Sequence, residues 1–136
     1  MTARKPPPPP KEFAVLDVHH VVDGDTVDLL VLDEDAGEID GWKLQGVKVI
    51  RCRLVHLDTP EDDEPGYDEA TDELADWLLG FDRTVDGGLR VTTQGKDAFG
   101  RYLSDVFHAY DRDDTATRYM VTQANNGKGW PVWVKT

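Results

Sequence analysis

The stretch Val47-Lys48-Val49-Ile50-Arg51-Cys52-Arg53-Leu54-Val55-His56-Leu57 decides the reading of this chain. It alternates for most of its length and is rich in β-branched residues, the signature of a strand with one buried face. Cys52 falls between Arg51 and Arg53, so it is expected inside with both arginines outside. The strand runs directly into Asp58-Thr59-Pro60-Glu61, two carboxylates on a turn stiffened by proline.

Working outward, Phe13, Val15, Leu16, Val18, Val21 and Val22 mark a first strand and Thr26 to Leu32 a second. The Asp23-Gly24-Asp25 between them suits a tight turn. The segment from Asp33 to Gly46 is acidic and glycine-bearing, so it reads as a long hairpin loop on the surface. Downstream of the Pro65-Gly66 breaker, Tyr67, Ala70, Leu74, Trp77 and Leu78 share one face at helical spacing, and Gly80 is the expected stop. Leu89 to Thr93 and Tyr102 to Tyr110 read as two more strands around a Gly95 to Gly100 turn. Asp111 to Thr117 reads as a polar loop and Arg118 to Asn126 as a short helix, followed by Trp130 and Trp133. This order fits a mainly β, α+β domain of five strands, with a barrel of the OB type as one solution among several.

The 136 residues predict one domain over 12–136, preceded by a proline-rich tail over 1–11. The tail, with Pro6 to Pro10, is expected to be extended, a spacer or a protein-docking segment. No apolar run reaches membrane-spanning length, the N-terminus lacks a signal-like apolar core, and Cys52 is the single cysteine. A cytoplasmic monomer is therefore expected. The charge opposes a nucleic-acid partner: 27 Asp+Glu face 15 Lys+Arg, a net charge of -12. Either the acids of 33–40 and 61–76 lie away from a locally positive cleft, or the surface is adapted to high salt.

Three places carry chemistry. Cleaving a phosphodiester needs cations to hold phosphoryl charge and a group to orient or deprotonate water. Hard cations take oxygen ligands. Asp23-Gly24-Asp25-Thr26 offers carboxylates on a turn, Asp58-Thr59-Pro60-Glu61 offers two at a strand end, and Gly100-Arg101 offers a guanidinium after a glycine. Each alone is ordinary loop chemistry.

Taken in order, Asp23-Gly24-Asp25-Thr26, Arg53 through Glu61, and Phe99-Gly100-Arg101-Tyr102-Leu103 resemble the staphylococcal nuclease (thermonuclease) family over about residues 13 to 134. The resemblance implies an OB barrel and a Ca²⁺-dependent nuclease that cuts DNA or RNA with little base specificity, leaving a 3′-phosphate. It implies Ca²⁺ bound by Asp25, Asp58 and the Thr59 carbonyl, with Asp23 behind them. Glu61 would act on a water, Arg53 and Arg101 on the scissile phosphate, and Phe99 and Trp133 on the nucleotide. The lysine that precedes the aromatic in the family is Ala98 here, and the third helix of longer members has no counterpart. The expectation is intact chemistry with a weak grip on substrate and modest stability. Two other classes remain: a non-catalytic OB module binding nucleic acid or protein, and an interaction module using the proline tail. The histidines, including His56, and the core-facing Trp77 are expected to have no part in the site.

Overall fold

The computed structural model describes residues 10–80 and 88–125, together with the backbone of Trp133 and Val134. The expectations for the proline tail and for Trp130 lie outside the described residues. Eight strands and two helices follow one another: β1 (Lys11–Asp23), β2 (Thr26–Ile39), β3 (Trp42–Leu54), β4 (Leu57–Asp58), α1 (Tyr67–Leu79), β5 (Leu89–Lys96), β6 (Tyr102–His108), β7 (Asp111–Thr115), α2 (Ala116–Asn125) and β8 (Trp133–Val134). The fold is mainly β, as expected.

Six strands form one sheet in the order β3-β2-β1-β5-β6-β7, with each neighbouring pair in that order antiparallel. A parallel pairing of Cys52–Leu54 with Tyr102–Ser104 joins β3 to β6 and bends the sheet into a ring. Three register shifts in β1, between Val15 and Asp23, give that strand the bulges that such curvature requires. Val27, Leu29, Val31, Ile50, Cys52, Leu54, Leu89, Val91 and Val106 point inward and are buried. Cys52 is fully buried, and burial pushes its thiol up to about 12.

Helix α1 begins after Gly66, whose φ of 90° suits glycine, and stops at Gly80. It buries Ala70, Leu74, Trp77 and Leu78, the face expected from spacing. The Tyr67 hydroxyl donates to the Val22 carbonyl at 2.9 Å, tying the first turn of the helix to the end of β1. Tyr119 of α2 lies 6.4 Å from Trp77 between ring centres and donates to Glu73 at 2.8 Å.

Three expectations are corrected. The acidic stretch from Asp33 to Gly46, expected as a hairpin loop, is indeed a hairpin but its arms are paired strand almost to the tip: Gly37 pairs with Leu44 and Ile39 with Trp42 around Asp40-Gly41. Both turn residues have positive φ, 52° and 84°, the conformation that matches the twist of paired strands. The segment from Asp111 contains β7, paired with β6 at Phe107 and His108, and α2 begins at Ala116 rather than Arg118. Lys11, assigned to the tail, is the first residue of β1 and pairs with Thr93.

Candidate functional site

The β1–β2 turn positions the first carboxylates. The Asp25 N–H donates to Asp23 Oδ1 at 3.1 Å, and the Thr26 hydroxyl donates to Asp25 Oδ1 at 3.0 Å. Gly24 must be glycine for a spatial reason: a Cβ there would lie 2.8 Å from both Ala70 Cβ and Thr59 Oγ1. Helix α1 and the segment after β4 therefore close directly onto the turn. Asp25 is buried, and its Oδ2 accepts from the Thr59 N–H at 3.0 Å across 34 residues of sequence.

Arg53 joins these parts. It stands on the outer face of β3 opposite Thr26, and its side chain is only 19% exposed. Nη1 lies 3.3 Å from Asp25 Oδ2 and donates to the carbonyls of Leu54 and Leu57; Nη2 lies 3.4 Å from Asp58 Oδ1. One guanidinium thus spans two carboxylates and two carbonyls contributed by three segments. Asp23 shows what collecting acids at one turn entails. Burial and the neighbouring Asp25 push its carboxyl up to about 6.

Arg101 arrives from the β5–β6 connection. Asp97 organises that turn, accepting from the N–H groups of Phe99 and Arg101 at 2.9 Å each and from Arg101 Nε at 2.7 Å. Burial pushes the Asp97 carboxyl up, but these donors outweigh it and hold it below its ordinary value. Gly100 has a φ of 79°, which favours glycine at the corner. Arg53, Asp58, Asp97 and Arg101 then line a pocket of about 570 Å³, with Leu54, Leu57 and Leu103 as apolar wall.

No protein-family model and no curated protein sequence matches the chain. The site is therefore judged on its own geometry.

The sequence-expected residues divide clearly. Asp25, Arg53, Asp58 and Thr59 are joined by direct bonds, Asp23 braces Asp25, and Arg101 shares the pocket with Arg53 and Asp58. Phe99 is 83% exposed, with the Arg101 guanidinium 5.3 Å from its ring centre. Glu61 is exposed and lies outside the pocket lining; its N–H donates to Glu64, and Glu61, Asp63 and Glu64 form an acidic group. The acids of 33–40 extend along the hairpin, but those from Glu61 onward start three residues after Asp58, so that stretch is not remote from the cleft. Trp133 pairs through its backbone with Asp58. Sequence reasoning missed Asp97 and Gly24's close approach, and it assigned no part to His56, which lines the pocket. For Asp97 the signal was present: an Asp with a Gly three residues on, as in Asp97-Ala98-Phe99-Gly100, suits a turn in which the side chain accepts from the backbone two residues ahead.

The donor set suits a hard cation. It consists of carboxylate oxygens of Asp25 and Asp58, each within 3.4 Å of Arg53, and the Thr59 hydroxyl, which is buried without a partner among the described residues. No thiol or imidazole joins that set.

Proposed function

We propose that this chain is a Ca²⁺-dependent phosphodiesterase acting on DNA or RNA, resembling staphylococcal nuclease and built on a five-stranded OB barrel closed between β3 and β6. The observation that carries this reading is the bridging of Asp25 and Asp58 by Arg53 at a pocket shared with Arg101. Carboxylates gathered at a turn repel one another unless a cation stands among them. Two arginines on a pocket wall recognise phosphate oxygens through directional, charge-assisted bonds. Such contacts carry no base information, so low sequence specificity follows.

Asp25, Asp58 and the Thr59 carbonyl would hold the ion, which when bound supplies positive charge to the phosphoryl oxygens and acidifies water. Arg53 and Arg101 hold the diester and stabilise the charge that grows on its oxygens during in-line attack. Glu61 orients and deprotonates the attacking water. Asp97 keeps the Arg101 side chain from swinging free, so less ordering remains to be done on binding.

The second reading, a non-catalytic module, draws support from the position of Glu61 among exposed acids rather than on the pocket wall. A Glu61→Gln variant separates the two. The nuclease reading expects DNA cleavage to fall at least about 100-fold with the melting curve unchanged. Unaltered cleavage would remove Glu61 from the mechanism, and substrate binding with no turnover by the wild type would establish the binding module.

A further inference from the structure

The pocket wall is lined by donors that are largely engaged already. Arg53 gives Nη1 to two carbonyls and faces two carboxylates, and Arg101 gives Nε to Asp97. His56 lines the same pocket, is exposed, and makes no side-chain hydrogen bond with any described residue. Its backbone is one of two non-glycine positions with positive φ among the described residues, at 62°. That conformation is imposed from both sides. The Val55 N–H donates to the Ser104 carbonyl at 3.0 Å, the Val55 carbonyl accepts from Thr117 at 3.3 Å, and Leu57 pairs with Val134. A glycine would adopt this conformation freely, so retention of a large polar side chain there points to use of that side chain.

The surroundings say what the imidazole meets. Asp105 on β6 is half-buried, which raises its carboxyl above the ordinary range, and the charge of His56 draws it back. His56 stands on a wall whose other polar groups are Arg53, Asp58, Gln94, Asp97 and Arg101. Arg53 and His56 are three positions apart in the chain, so their Cα atoms lie at most about 11 Å apart. The volume of about 570 Å³ exceeds what one phosphate group occupies. At Ala98 the β5–β6 turn carries no cation.

We infer that His56 is a substrate-contacting residue, whose ring N–H donates to a phosphate oxygen of the nucleotide next to the diester held by Arg53 and Arg101. The inference rests on the phosphodiesterase reading above. It needs only an N–H donor, so a lysine at this position retains the contact and a glycine deletes it while relieving the backbone.

The test compares wild type, His56→Gly and His56→Lys on two Ca²⁺-dependent substrates: a single-stranded DNA oligonucleotide, and bis-p-nitrophenyl phosphate, which has no flanking phosphate. On the oligonucleotide, His56→Gly should raise KM about 5- to 10-fold, the loss expected of one hydrogen bond to a charged group, with kcat within about twofold. His56→Lys should restore KM, and His56→Gly should match wild type on the small diester. The melting temperature of His56→Gly should equal or exceed that of wild type. An unchanged oligonucleotide KM, or an equal loss on both substrates, would overturn the inference while leaving the nuclease reading standing. Wild type that cleaves neither substrate would overturn both.

Discussion

Arg51 and Arg53 stand two residues apart on the same face of β3, and each meets an aspartate of the β1–β2 hairpin. Arg51 grips Asp28 with two parallel bonds of 2.8 and 2.9 Å, and its side chain is half exposed. Its hydrogen bonds hold the Asp28 carboxyl below the usual range against a smaller effect of burial. Arg53, 19% exposed, is shared among Asp25, Asp58 and two carbonyls. The difference lies in where the strand ends. Arg51 faces a continuous partner strand, whereas Arg53 faces a turn onto which α1 and the segment after β4 have closed. A pair such as Arg51–Asp28 fastens a sheet. A guanidinium that gathers carboxylates from separate segments, beside an acid pushed up to about 6, marks a site.

The sharpest break of that comparison is arginine removal. Arg53→Ala should cut DNA cleavage at least about 100-fold and destabilise the fold by about 2–4 kcal/mol, because Asp25 is left buried without its cation. Arg51→Ala should leave activity within about twofold and cost under about 1 kcal/mol, as exposed pairs do. Equal effects on activity would dissolve the distinction. Next in size is Gly24→Ala. Its Cβ meets Ala70 and Thr59 at 2.8 Å, and an overpacked contact of this kind costs about 1–3 kcal/mol. Denaturant unfolding should show that loss, accompanied by reduced activity.

The two carboxylates should also differ in the sign of their pH dependence. The folded-state value of Asp23 lies above its unfolded one, so folding takes up a proton between about pH 4 and 6, and stability falls as pH rises through that window. Asp23→Asn should flatten that decline. Asp28 is depressed, so its stabilisation is present above pH 4 and is lost as pH falls below. Asp28→Asn should flatten the acid limb instead. Thermal melts across pH that gave both variants the same sign would contradict the assignment. The smallest effect concerns the whole surface. With a net charge of -12, raising NaCl from about 0.05 M to about 1 M should raise the melting temperature by weakening self-repulsion.

Much of this was legible in the chain, and the failures have physical causes. The alternation around Cys52 and the helical spacing of Ala70, Leu74, Trp77 and Leu78 survive in the structure because both report a buried face. The segment from Asp33 to Gly46 reads as a hairpin loop rather than as paired strand arms because acids and glycines are poor strand formers in isolation. Pairing with a partner strand outweighs that preference, and the Asp40-Gly41 dipeptide was the local signal for it. For the site, residue types at Asp25, Arg53, Asp58 and Arg101 were legible as phosphate and cation chemistry. Their convergence was not, because it depends on a 34-residue bond from Thr59 to Asp25 and on a Gly24 that admits Ala70. His56 was assigned no role because only its backbone angle and its place on the pocket wall, neither visible in the sequence, single it out.

The most direct test of the central claim is the initial rate of DNA cleavage by the wild-type chain in millimolar Ca²⁺ and again in excess EGTA. The account predicts cleavage that drops at least about 100-fold on chelation and returns when Ca²⁺ is restored. Cleavage that continues undiminished in EGTA, or no cleavage in either condition, would contradict it.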